Sequence, residues 1–257
     1  MTHGLWMKAR NAVAMRLVPN MLRAQQSLTR GFEVRMRRTE AVARYARGSG
    51  LELGAAATPA AVPAGVIVTY VDKYGIDALA ADPELAGLHI RPPDVLDSAE
   101  ELESFADNSQ DFVIAFTVME HVQDVIGMFA AATRVLRAGG YFIFTAPNRD
   151  CYDHDANRTL ADFPHFVRDY EEGPQVSIRD HYREAGAVYN GLSGDELERW
   201  AQEQIDRGGH THFHVWTAAT FFDFVLKTRE YLEDTFDVVE LSVYGNECLV
   251  VGRKGRK

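Results

Sequence analysis

Apolar and polar positions alternate in blocks along the middle of the chain. A short apolar run over residues 50–54 gives way to a Pro- and Ala-rich loop, residues 55–65. A second run, residues 66–71, ends in Asp72. A short helix is predicted over 76–81, a weak strand near 88–90 and a helical turn or two over 99–105. Residues 112–118 read as a buried strand, followed by an amphipathic helix and a second buried strand that runs into Asn148. Strands alternating with helical segments predict parallel strands joined by helical crossovers, an α/β doubly wound sheet. Past Asn148 the pattern breaks. Residues 149–216 are polar and hold six of the nine histidines, which predicts a helical insertion or lid over the active edge. Helical spacing returns over 217–233 through Phe221, Phe224, Val225 and Leu232. Two final runs, 236–244 and 247–252, meet at Gly245-Asn246, a strong antiparallel hairpin signal.

Upstream, residues 5–47 read as helical with an interruption near Pro19. The organisation expected is a basic N-terminal helical arm, 1–48, and one domain, 49–257, with 149–216 inserted on the acceptor side. Charge supports the division. Residues 1–50 carry ten Lys or Arg and two Glu, although the chain as a whole has a net charge of -10. The acidic remainder argues against nucleic acid as partner. Two cysteines, Cys151 and Cys248, lack metal-type spacing and suit a reducing, cytoplasmic setting. No apolar run reaches the ~20 residues of a membrane span.

The candidate chemistry starts at Glu120 and His121, side by side where a buried strand gives way to a helix. Ligands of open α/β sheets bind at the carboxyl ends of the strands. Upstream, LELGAAATP opens a loop after the first strand, and Asp72 follows Glu52 by twenty residues, where a carboxylate can accept hydrogen bonds from a ribose diol.

These segments, with VTYVD, NSQDFVIAFTVMEHV and RVLRAGGYFIFTAPN in order, resemble the successive motifs of class I S-adenosylmethionine-dependent methyltransferases. The resemblance implies a Rossmann-like sheet of seven strands, mostly parallel, with an antiparallel C-terminal hairpin. It implies S-adenosyl-L-methionine as cofactor, with Glu52, Gly54 and Ala55 against the methionine portion and Asp72 on the ribose. Asp97, or a near neighbour before Leu102, would meet the adenine, and Ala115 and Phe116 would line the sulfonium pocket. One departure stands out: the family's Gly-x-Gly-x-Gly loop is GAAAT, with a single glycine.

The acceptor side offers three groupings. Extended backbone over GHTHFHVWT would turn His210, His212 and His214 to one side, which suits a transition metal or a base. The pair Glu120-His121, with a later histidine before Trp216-Thr217, resembles the divalent-ion motif of small-RNA 2′-O-methyltransferases with its first Glu lost. That implies Mg, Mn or Zn held by Glu120, His121 and His212. Finally, YDHDANRT (152–159) resembles a stretch of sugar-directed bacterial methyltransferases and makes His154 or His121 the base, with Asp153 or Asp155 orienting it. Tyr152, Tyr170, Tyr182 and Trp216 are candidates for stacking on sugar faces. The reading is a saccharide or glycoside O-methyltransferase acting on a small-molecule or oligosaccharide acceptor, with a homodimer left open. Two alternatives stand beside it: an aromatic or quinone O-methyltransferase, and a non-catalytic relative that the single-glycine loop has deprived of its cofactor.

Overall fold

The computed structural model describes residues 29–255. The helix predicted over 5–28 lies outside the described residues. The described part of the arm is one helix, α1, over residues 29–45.

Seven strands form one sheet: β1 (Ser49–Leu53), β2 (Ile67–Asp72), β3 (Val95–Leu96), β4 (Gln110–Phe116), β5 (Leu136–Pro147), β6 (Phe236–Tyr244) and β7 (Glu247–Lys254). Their order is β3-β2-β1-β4-β5-β7-β6, with β7 antiparallel to both its neighbours and the other pairs parallel. The helices are α2 (Ile76–Ala80), α3 (Val125–Val135), α4 (Phe163–Glu172), α5 (Ile178–Asn190), α6 (Gly194–Arg207) and α7 (Ala218–Tyr231).

The middle of β4 (112–116) and of β5 (142–144) is apolar on both sides because both faces of the sheet are covered there. Alternate residues of β4 and β5 go to opposite layers, as the two-residue strand period requires. Val113, Ala115, Phe142 and Phe144 join α3 and α7 through Phe129, Phe221 and Phe224. Phe112, Ile114 and Ile143 face the other way, against Val34, Ala41, Val42 and Ala46 of α1 and its C-terminal extension. Arg38 of α1 donates from Nε to Glu247 Oε2 at 3.0 Å and lays its guanidinium over the Phe116 ring at 4.7 Å. The described arm is therefore packed onto the sheet next to the end of β4.

Local chemistry sets the element ends. Asp124 caps α3 by accepting from the Gly127 amide at 2.7 Å, and Thr217 and Thr220 form a reciprocal cap on α7. Two predicted elements differ. The third strand is Val95–Leu96 rather than 88–90. Pro92-Pro93 cannot donate to a ladder, so pairing to β2 begins only at Asp94, whose amide reaches Tyr70 O at 2.8 Å. Residues 99–105 form turns, because Asp97 and Ser98 side chains capture the Ser104 and Glu100 amides that a helix would need.

The segment 149–216 folds largely as α4, α5 and α6. Part of it has its own small core around Tyr182, Ala201 and Phe213, but Phe166 and Trp216 belong to the main core. Tyr182 and Trp216 are thus buried in these cores, each 1% exposed, rather than presented at the surface. Tyr170 packs on Tyr231, and of the four aromatics only Tyr152 lies beside the candidate site, 5.4 Å from the His154 ring.

Among the described glycines of the sheet, the tightest is Gly252 of β7, where a methyl group would run into the Phe142 ring. Gly252→Ala is expected to lower stability by about 1–3 kcal/mol, read as a lower midpoint in urea at unchanged slope.

Candidate active site

The carboxyl ends of β1, β2 and β4 converge on one edge. β1 delivers Glu52, which is 2% exposed and accepts from the Ala60 amide at 2.7 Å through Oε1. Its other oxygen is buried and without a partner. Burial pushes this carboxyl up to about 7, against the pull of the Ala60 amide and Arg38. Gly54 follows at φ +62, where a Cβ would press within 2.8 Å of Val118. Glycine is thus required at that close approach. The GAAAT loop keeps a second left-handed residue without a second glycine, since Ala56 sits at φ +42. Ala55 is buried beside it. Asp72 ends β2, accepts from the Tyr74 amide at 2.9 Å, and has its carboxyl raised mainly by burial.

Asp97 spends both oxygens on its own loop, accepting from Ser98 N and Ser104 N, each at 2.8 Å. Ala115 is wholly buried within the sheet and Phe116 nearly so. The next residue, Thr117, is a β-branched residue at φ +53, an uncommon and costly conformation. Its amide points to the Thr145 carbonyl and hydroxyl at 3.2 and 3.1 Å. This turn ends β4 and starts the short 3-10 helix Met119–His121 that carries Glu120 and His121.

Segment 210–216 docks on that helix through its backbone. Glu120 O accepts from Phe213 N at 2.6 Å, and His121 Nδ1 donates to Thr211 O at 3.0 Å. The three histidines of the segment do not share one side. His210 stacks on His121 with centroids 4.1 Å apart, and His212 meets His121 edge-on at 4.8 Å. His214 instead points to Asp169, away from the site.

Glu120, His121 and His212 come together, each offering one ligand atom, all within 4.8 Å of one another. Glu120 is fully enclosed, and one of its oxygens has no partner. Burial raises its carboxyl to about 7, offset in part by His212. Burial likewise pushes His121 down to about 3, helped by His210 and His212.

His212 Nδ1 donates to Asp155 Oδ2 at 2.8 Å, and the Tyr189 hydroxyl donates to Asp155 Oδ1 at 2.6 Å. Burial would raise the Asp155 carboxyl, but these two hydrogen bonds, with the His212 and His154 charges, hold it below the ordinary value. Burial would lower His212, but the hydrogen bond to Asp155 and the charges of Glu120 and Asp155 together raise it above the ordinary value. The carboxylate that orients a histidine here is Asp155, and Asp153 is exposed. His154 sits on the rim, half exposed, with Nε2 3.3 Å from Asp155 Oδ2. Tyr189 was not singled out from the sequence, since it lies one helix away and only the fold brings it to Asp155.

A methyltransferase-domain family model matches residues 29–223. The match spans more than half of the chain, which therefore belongs to this methyltransferase domain family. No curated protein matches it in sequence. Among solved structures it is similar to an S-adenosylmethionine-dependent methyltransferase from Aquifex aeolicus, at 10% identity over 86% of this chain and 90% of that one, with a TM-score of 0.46. One from Thermotoga maritima is similar at 17% identity over 93% and 97%, TM-score 0.45. A third, from Methanosarcina mazei, gives 15% identity over 82% and 94%, TM-score 0.43. No helix among the described residues is long and apolar enough to cross a membrane.

Two stability outcomes follow from Ala56 and Glu52. Ala56→Gly should raise stability by about 0.5–1 kcal/mol, because glycine adopts positive φ without steric cost. Glu52 binds its proton more tightly folded than unfolded. The stability linked to that proton is full below about 4.5 and is lost as pH rises through about 7. Glu52→Gln should therefore flatten the stability profile between pH 5 and 8, gaining up to about 3 kcal/mol at the alkaline end, as read by urea unfolding across pH.

Proposed function

We propose that the protein methylates a hydroxyl of a saccharide or glycoside, with His212 taking the hydroxyl proton. The observation that carries this reading is the Tyr189–Asp155–His212 chain of hydrogen bonds, 2.6 and 2.8 Å long, ending beside Glu120 and His121. Nδ1 of His212 is committed to Asp155, so Nε2 is the nitrogen free to accept a proton. A buried carboxylate behind it stabilises the imidazolium that results. Such a base is what an alcohol acceptor needs, whereas amine and carbon acceptors can react without one.

Bound S-adenosylmethionine supplies an electrophilic methyl group. The partnerless buried oxygen of Glu52 and the close backbone at Gly54 fit its methionine portion, and Asp72 suits its ribose. Ala55, Ala115 and Phe116 close the apolar side, and Asp97 shapes the loop beside the adenine position. On the acceptor side, Tyr152, His154 and Asp155 form a polar margin. Hydroxyl-rich acceptors match it better than a quinone or phenol, which wants an apolar pocket.

A second reading is favoured by the unpartnered, buried Glu120 oxygen. With His121 and His212 it offers a three-ligand set for a divalent cation, which when bound would lower the acceptor's pKa. Two imidazoles to one carboxylate suit manganese or zinc better than magnesium.

A methyl-transfer screen over sugars and phenols, with and without EDTA, tests both. Sugar methylation is expected, with Asp155→Asn lowering kcat about 10²-fold and leaving KM for the donor unchanged. Activity that vanishes in EDTA and returns with manganese or zinc moves His212 from base to ligand. Methylation confined to phenols or amines contradicts the saccharide reading.

A further inference from the structure

A second histidine cluster lies outside the site described above. Helix α4 places His165 and Asp169 one turn apart on one face, helix α5 contributes His181, and segment 210–216 contributes His214. Asp169, His181 and His214 are buried, with Asp169 and His214 at 0% and 2% exposure. Three Nε2 atoms converge on one carboxylate oxygen. Asp169 Oδ2 lies 3.1 Å from His165, 3.8 Å from His214 and 3.9 Å from His181, and the His165 and His214 Nε2 atoms are 3.3 Å apart. Zinc bound tetrahedrally at about 2.0–2.1 Å to nitrogen and oxygen separates its ligands by about 3.3 Å. The observed spacings scatter around that edge length.

The polar bookkeeping of the cluster also asks for a further partner. Asp169 Oδ1 and Oδ2 and His181 Nε2 are buried with no well-aligned hydrogen bond, although His165 Nε2 comes within 3.1 Å of Oδ2. Such groups cost free energy unless something satisfies them. His214 Nδ1 donates to Val122 O at 3.1 Å, which leaves its Nε2 lone pair facing His165 Nε2 at 3.3 Å and Asp169 Oδ2 at 3.8 Å. Holding the outer nitrogen on a backbone carbonyl is the usual support of a metal-bound imidazole. The wall is apolar, with Phe166 4.8 Å and Trp216 6.0 Å from the His214 ring, and Phe213 5.8 Å from His181. His165, at the outer side, has Nδ1 3.5 Å from the Arg168 guanidinium, the limit of a hydrogen bond.

The geometry points to a structural transition-metal site, best suited to zinc, with His165, Asp169, His181 and His214 as its four ligands. Four protein ligands leave no open position, the mark of a structural rather than a catalytic ion. The ion would tie α4 and α5 to segment 210–216, two residues from His212, and so hold the acceptor side on the sheet. The inference stands whether or not His212 acts as proposed, because the two clusters share no residue.

The test uses the full chain carrying Glu120→Gln and His212→Ala, which removes two ligands of the other cluster. After purification with zinc in the medium and gel filtration, elemental analysis is expected to find one zinc per chain. Stripping and reloading with cobalt(II) should give the intense visible bands of tetrahedral coordination. Adding His181→Ala or Asp169→Asn should abolish both. Adding His165→Ala, at the most accessible ligand, should weaken the cobalt spectrum with the fold retained by circular dichroism. A chain that neither carries zinc nor takes up cobalt in tetrahedral form overturns the proposal. So does a bound ion that survives His181→Ala and Asp169→Asn.

Discussion

The candidate site depends on the backbone docking of segment 210–216 against the turn that ends β4. Glu120 O receives the Phe213 amide, and Thr211 O receives His121 Nδ1. These bonds satisfy polar groups that the turn would otherwise bury unpaired. They also decide where each histidine of the segment goes. His212 is delivered to Glu120, His121 and Asp155, and His214 is turned to Asp169. This docking is what brings His212 to the acid and histidine at the end of β4.

Strain and burial are concentrated at the same edge. Thr117 holds a left-handed backbone at the last step of β4, and Ala56 does so in the loop after β1. Glu52 and Glu120 are carboxylates kept in the interior with an oxygen unpaired. Groups of this kind are expected where function rather than stability sets the structure. Around them the sheet is conventional: two apolar layers, a capped α3, and an Arg38–Glu247 pair that packs α1 beside Phe116.

The central strands and the terminal hairpin were legible in the sequence because uninterrupted apolar runs and Gly245-Asn246 carry strong local signals. β3 was not, since two residues beside a Pro-Pro pair have no periodicity to read. The grouping of Glu120, His121 and His212 came from a resemblance and could not come from spacing, with ninety residues between its members. Asp153 and Asp155 stand two positions apart in a loop, where no period says which faces inward. The Asp169 cluster left only one trace in the sequence, the one-turn spacing of His165 and Asp169, because its other members arrive from separate elements.

The central claim is that donor binding and acceptor activation are separate tasks on one sheet edge, divided at Thr117. Titration calorimetry with S-adenosylhomocysteine, on the parent chain and on His212→Ala, tests it most directly. The account predicts one donor-analogue site of equal affinity in both proteins, with methyl transfer lost only in the variant. No detectable heat from the parent chain at high concentration, or affinity lost together with His212, would contradict it.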